Sequence, residues 1–448
     1  MMQNLKRFFS LLMLFLLLSL VSIAAYFAQE NLMAKKPNYD IPSKIEIFLN
    51  GTTFEEINSG SKTTEYPNNT LEITTNIGTD VYQNVTIRGR GNSSWTRDKK
   101  PYQINFSSPI SLLGMPKEKK WVLLAGDFDN SDMRNDILRY MENMVGTDYA
   151  VDGRYVELYV DNEYVGLYYL MNKVEIEGNR VALSDPYGIL VELENLHSNH
   201  VECYESIESD CLVISDAVDN DNADGSMNEF MTKFNDLLTA AKKGNYKKVE
   251  EVADVESMAK YFLIAEFSVN PDAYVSSMFM TMDGLDDKIH FGPNWDYDFA
   301  FGNLRWDWHY IADFHSPYES MVQKKSAFGE TYLNPETNEY EVYEADQNVS
   351  KLFYYLMDIP EFEDEVCRVY RERMSGRAEE LLDFVRRQAA NIRDAALRDE
   401  ELWLRGGIGV MGFDDEVEYL LDWIAKRYDF FEQTYGVRRA INVPQNML

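Results

Sequence analysis

Histidine is scarce in this chain. There are five in 448 residues, none paired at ligand spacing, so a zinc centre is not expected. Cysteine is scarcer still: Cys203, Cys211 and Cys367 show no metal-ligand spacing. A Cys203–Cys211 disulfide after export and free buried thiols both remain open from spacing alone. Positive charge is the largest deficit. Lys and Arg number 43 against 75 Asp and Glu, a formal net charge of −32. Such a field repels nucleic acid and anionic lipid, which excludes general polyanion binding. Proline (13) and glycine (24) are too few for a low-complexity chain, and no internal repeat is evident. With 45% hydrophobic residues the chain can bury a large core, as one large domain or two to three smaller ones.

Long uncharged apolar runs are absent too, with one exception. Lys6 and Arg7 precede FFSLLMLFLLLSLVSIAAYFA, Phe8 to Ala28. A basic stretch followed by an apolar one marks an export signal, and roughly 20 apolar residues also suffice to span a bilayer. Small residues at Ser22, Ala24 and Ala25 permit cleavage. The expectation is an exported chain, secreted or anchored, that touches a membrane only through residues 1–28. Residues 29–43 read as a polar linker, 44–436 as the folded domain and 437–448 as a tail.

Alternating or β-branched residues in KIEIFLN, LEITTNI, NVTIRGR and PYQINF predict strands between Ser43 and Phe106, and WVLLAGD predicts a short buried one. A helix is expected after Ser131, with Met133, Ile137, Tyr140, Met141, Met144 and Val145 at helical spacing and Gly146 ending it. RYVELYV and YVGLYYLM, separated by Asp161-Asn162-Glu163, predict a hairpin, and Gly188–Leu193 another strand. Apolar stripes predict helices over 228–243, 247–269, 361–398 and 413–434, with a short hairpin inside 278–301. A β-rich first half and a helical second half make an α+β protein. The division falls near residue 195.

In so acidic a chain a basic cluster is informative. Arg88, Arg90, Arg97, Lys99 and Lys100 stand against Asp98 alone. RGRGNSSW, Arg88–Trp95, directly follows a strand; its glycines let backbone amides approach a ligand and its arginines offer forked donors to phosphate. It is neither a Walker loop nor a full GxGxxG, and a solvated hairpin with incidental charges would look the same. Lys99 and Lys100 open the next strand and point to opposite faces, so at most one serves a phosphate. The acidic signal is sharper. Asn270-Pro271-Asp272 follows an apolar helix that includes Glu266, and Trp295-Asp296-Tyr297-Asp298-Phe299-Ala300-Phe301-Gly302 begins its acids 24 residues after Asp272. An Asp in a loop after a helix suits accepting a hydroxyl proton, and an Asp on an aromatic-flanked turn suits holding Mg²⁺ against phosphate oxygens. Asp-x-Asp pairs also serve as caps or calcium ligands.

RGRGNSSW…KKPYQINF, LLGMPKEKKWVLLAGDFDNSDMRND, YVELYVDNEYVGLYYL and NPDAYVSS…GPNWDYDFAFG resemble, in the same order, the CotH family: the spore-coat H proteins and relatives, which are similar to atypical protein kinases. The resemblance covers about 45–310. It implies a two-lobed kinase-like fold, ATP, a divalent metal (Mg²⁺ or Mn²⁺), and phosphorylation of Ser or Thr in a protein substrate. It places Asp272 as the catalytic-loop acid, Asp296 as a metal ligand and Asp298 as a possible further ligand. Lys100 would be the catalytic lysine that pairs with nucleotide phosphates, with Arg88, Arg90 and Asn270 on the nucleotide side. No His-Arg-Asp triad precedes Asp272; Val269-Asn270-Pro271 stands there. Where kinases carry a second metal-binding Asn, this chain has Ser277, a weaker ligand, so one metal or a water-mediated second is expected. Arg134 and Glu142 lie on the helix where kinases carry the lysine-pairing Glu, and surface salt bridging is expected for Glu142. Trp306 and Trp308 read as core or interface residues before a carbohydrate platform. Two other functions compete: a non-catalytic surface or coat assembly protein on the same fold, and a glycoside hydrolase, in which the basic 88–100 segment has no role.

Overall fold

The computed structural model describes residues 36–177, 180–195, 202–303, 349–403 and 411–437, with isolated positions at 19, 317, 318, 320, 332, 333, 340 and 341. The apolar run 8–28 (Ser19 apart), residues 29–35, Trp306, Trp308 and the tail beyond 437 lie outside the described residues. No described helix is long and apolar enough to cross a membrane.

Seven strands close into a barrel: β1 (Ser43–Phe48), β2 (Tyr66–Thr75), β3 (Gly78–Gly89), β4 (Tyr102–Ile110), β5 (Glu118–Leu124), β6 (Gly153–Val160) and β7 (Glu163–Asn172). Their spatial order is β1-β2-β3-β4-β5-β7-β6, and β6 closes the ring by running parallel to β1, with Leu158 opposite Ile45. Alternation explains the interior. Ile45, Ile47, Leu71, Ile73, Val85, Ile87, Tyr102, Ile104, Trp121 and Leu123 share one buried cluster inside the barrel. The β6–β7 turn follows its residues: Asp161 and Asn162 have φ of 49° and 69°, the left-handed values a tight hairpin requires.

A second sheet is ordered β12-β11-β8-β10-β9, with β8 (Gly188–Glu194), β9 (Tyr204–Glu205), β10 (Cys211–Ala217), β11 (Ser276–Asp283) and β12 (His290–Phe291). β8 pairs with β10 and β11 and with no barrel strand, so the last barrel strand ends at Asn172. Helices Ala223–Lys242, Tyr246–Val252, Val255–Ser268, Leu352–Leu356, Pro360–Arg373, Ala378–Trp403 and Phe413–Phe431 fill the second half. The α+β class and the β-then-helical order are as expected; the closed barrel was not. Two predicted helices are interrupted. Ala253 is extended and Asp254 starts a new helix by accepting a hydrogen bond from the Ser257 N–H at 2.7 Å. Gly376, at φ 73°, separates the two helices read as 361–398.

The helix Arg134–Val145 packs between the halves. Its Ile137, Met141 and Met144 join Val122, Leu167 and Met171 of the barrel's outer face in one core with Phe262 and Phe267. A buried ion pair adds a second tie: Lys99 lies 2.8 Å from Asp399 on the helix Ala378–Trp403, and neither side chain is exposed. Lys99 also donates to the Leu167 carbonyl, while Asp399 accepts from the Leu167 N–H. Gly166 sits against this pair with φ 143°, where a Cβ would collide with the Asp399 carboxylate. Lys99→Ala removes the ammonium from beside the buried Asp399 carboxylate. The expected cost is about 3–5 kcal/mol in urea unfolding, largely recovered in the double variant Lys99→Met/Asp399→Leu.

Cys203 and Cys211 are bonded, with Cα atoms 5.4 Å apart, and Cys367 is a free thiol.

Candidate functional site

A cleft enclosing about 1430 Å³, its open mouth included, is lined by Arg90–Ser94, Gly126–Phe128, Asn135, Glu192, Glu194, Asp272, Ser277, Trp295, Asp296, Asp298 and Phe299. Two loops supply Asp272, Asp296 and Asp298. The helix Val255–Ser268 ends at Val269, forced to φ 51°. Asn270 Oδ1 then accepts the Asp272 N–H at 3.3 Å, and its Nδ2 donates to the Asp296 carbonyl at 3.1 Å. One buried side chain thus fixes the spacing of the two loops. Asp298 Oδ1 accepts from Asn135 Nδ2 at 2.5 Å. Asn303 Nδ2 holds the Asp298 and Phe128 carbonyls at 2.6 and 2.7 Å. Ser277, Asp296 and Phe301 have φ of 59°, 65° and 53°. Such values in non-glycine residues cost about 1–3 kcal/mol each and persist where surrounding bonds over-determine them, often at functional sites.

The acids crowd one another. Burial, then Asp296, pushes the Asp272 carboxyl up to about 7. Burial, then Asp296 and Asp129, pushes Asp298 up to about 8, and burial, then Glu194, raises Glu192 to about 8. Asp296 itself is raised by burial and by Glu194 and pulled back by Arg90. Asp296 is nonetheless open to the cleft solvent. Among the described residues no hydrogen-bond donor reaches the carboxylates of Asp272 or Asp296. Arg90 is, among the described residues, the cation lining this cleft, its guanidinium 5.5 Å over the Trp295 ring. Burial lowers its pKa and Asp296 opposes that.

A pH dependence follows. Between the ordinary values, 3.8 for Asp and 4.5 for Glu, and the raised values of about 7 and 8, the folded chain holds more protons than the unfolded one. Stability therefore declines as pH rises through that window. The Tm of metal-free protein is expected to fall from about pH 5 to about pH 8.5, with Mn²⁺ restoring it most at the upper end. A flat or rising Tm would show that groups other than cations compensate these acids.

Residues 87–431 match the family described as CotH kinase protein. The chain belongs to the CotH kinase family. No curated protein matches it. Membership makes it a kinase-like protein.

Within this CotH family member, the cleft brings together Asp272, Asp296, Asp298, Ser277 and Arg90 of the residues singled out from the sequence. The others are placed elsewhere. Lys100 donates to the carbonyls of Trp95 at 2.6 Å and Arg97 at 3.1 Å, and its ammonium sits over the Trp95 ring, away from the cleft lining. Lys99 is spent on Asp399. Arg88 donates to Gln103 Oε1 and to the carbonyls of Lys62 and Gly89. Asn270 is buried as the bracket between loops and does not line the cleft. Glu142 is not a surface residue. It is fully buried, accepts the Asn294 N–H at 2.9 Å, and is raised by burial to about 8. Arg134 pairs with Asp129 and Glu416 and donates to the Ala300 carbonyl. Sequence reasoning missed Glu192, Glu194 and Asn135. The glutamates carried a signal: carboxylates at i and i+2 in the otherwise apolar strand ILVELE must share one face.

Proposed function

We propose that this CotH family member is an exported protein kinase that transfers the γ-phosphoryl group of ATP to Ser or Thr of a surface or secreted protein, using Mg²⁺ or Mn²⁺. The observation that carries the reading is the cleft's charge: Asp272, Asp296, Asp298, Glu192 and Glu194 converge on it with Arg90 as its lining cation. A polyphosphate cannot approach such a surface unless divalent cations come with it, and crowded carboxylates with few donors are what hard cations bind. The residues present therefore fit the group. Asp296 and Asp298 would hold a cation, with Ser277 a weaker neighbour. Glu192 and Glu194, on β8 beside the Ser276–Ser277 segment, would supply the hard oxygens that Ser277 lacks and support a second cation. Bound cations neutralise charge on the transferred phosphoryl group.

The chain's own groups do the rest. Arg90 and the Gly91–Ser94 loop, which line the cleft, would bind phosphate oxygens. Asp272, raised toward neutrality, is placed to accept the acceptor hydroxyl proton. In this reading the barrel is the N-terminal lobe, the second sheet and helices are the C-terminal lobe, and the folded domain runs from 44 to 436. Export is supported by the 8–28 apolar run and by the Cys203–Cys211 disulfide, a bond that persists in oxidising compartments. The test is label transfer from γ-labelled ATP by the full chain with Mg²⁺ or Mn²⁺, to itself or to a generic protein acceptor. Transfer lost in Asp272→Ala supports the reading. Absence of both transfer and metal-dependent ATP binding would favour a non-catalytic assembly role.

A further inference from the structure

We infer that Asn135 is a positioning residue for the cation site, holding one carboxylate oxygen of Asp298 so that the other faces the cleft. The inference rests on Asp296 and Asp298 being cation ligands, as proposed above. Asn135 is the second residue of the helix Arg134–Val145, and it spends both ends of its amide on the same loop. Nδ2 donates to Asp298 Oδ1 at 2.5 Å, and Oδ1 accepts the Tyr297 N–H at 3.2 Å. Turning the side chain would drop both bonds at once, so the amide is locked. With Oδ1 engaged by Asn135, Asp298 Oδ2 meets no donor among the described residues.

The helix is itself fixed to that loop. Arg134 Nε donates to the Ala300 carbonyl at 2.8 Å, and Nη2 donates to Glu416 Oε1 at 2.7 Å. The position of the helix and the aim of the Asp298 carboxylate are therefore one geometric variable. Kinases link the corresponding helix to the nucleotide through a lysine–glutamate pair. Here Glu142 is turned to Asn294 and Lys100 to backbone carbonyls, and the amide of Asn135 makes the link to the loop directly. Asn303 steadies the same loop through the carbonyls of Asp298 and Phe128 and touches no carboxylate, which makes it a control for scaffolding alone.

Hydrogen-bond partners behind metal-binding carboxylates are typically worth about 10–100-fold in metal affinity or activity. The experiment measures Mn²⁺ binding to the full chain without nucleotide, from the free-ion paramagnetic resonance signal, together with the Mn²⁺ concentration for half-maximal label transfer. Asn135→Ala is expected to weaken Mn²⁺ binding about 10–100-fold and to regain the wild-type kcat when Mn²⁺ is saturating. Asn303→Ala is expected to lower Tm with Mn²⁺ affinity unchanged. If Asn135→Ala does not fold, Asn135→Leu keeps the bulk without the donor and is expected to show the same metal defect. Unchanged Mn²⁺ affinity in the Asn135 variants, or an equal loss in Asn303→Ala, overturns the inference and leaves the kinase reading intact. A wild-type chain that binds no Mn²⁺ overturns both.

Discussion

Asp296→Asn is expected to abolish label transfer and, in metal-free protein, to raise Tm. The two effects have one cause. Asp296 raises the pKa values of Asp272 and Asp298 and is raised in turn by Glu194, so it is the charge about which the others are crowded. Replacing it by an amide keeps the shape, relieves the repulsion and frees the native state of a carboxylate that no donor among the described residues reaches. The loop remains held through the Asp296 carbonyl by Asn270. With cations and ATP the balance reverses. Losing a carboxylate that holds a divalent cation removes several kcal/mol of charge stabilisation, about 10³-fold or more in rate. Activity assayed by label transfer and stability by thermal melts should move in opposite directions. A variant that is both inactive and less stable would mark Asp296 as a structural cap.

The second large effect separates two basic residues. Arg90→Ala is expected to weaken ATP binding about 10–100-fold, the worth of a charge-assisted hydrogen-bond set of roughly 1.5–3 kcal/mol. Lys100→Ala should leave ATP affinity nearly unchanged and instead loosen the loop it braces, because its ammonium is held by the Trp95 and Arg97 carbonyls. Calorimetric titration of both variants with Mn²⁺·ATP reads the difference. The reverse ranking would restore the lysine assignment that resemblance alone implies, and would require the 95–100 segment to rearrange when nucleotide enters.

What could be read from the chain depended on whether the determinant was local. Strands β1 to β4 announced themselves by alternating or β-branched residues, β5 by a short apolar run, and the β6–β7 hairpin by Asp161 and Asn162. Barrel closure was not legible, because the pairing of Ile45 with Leu158 joins strands far apart in the chain and nothing near either encodes it. The convergence of Asp272, Asp296 and Asp298 on one cleft was legible because aromatic residues and Gly302 bracket carboxylates where a solvated surface would not. The bonds of Lys100 to the Trp95 and Arg97 carbonyls were not legible, because strand alternation fixes where its Cβ points but not where a four-carbon stem delivers its ammonium. Glu142 was misread: a charged residue on an amphipathic helix looks exposed until Asn294 arrives from a loop far along the chain. Asn135 had no sequence signal, since an asparagine in a first helical turn reads as capping chemistry.

The most direct test of the cleft as a nucleotide and cation site is a crystal of the chain with Mn²⁺ and a non-hydrolysable ATP analogue, the manganese located by anomalous scattering. The predicted result is manganese against Asp296 and Asp298, with the triphosphate lying along Arg90 and the Gly91–Ser94 loop. Nucleotide bound elsewhere, or manganese confined to surface acids while these carboxylates bind none, would contradict it.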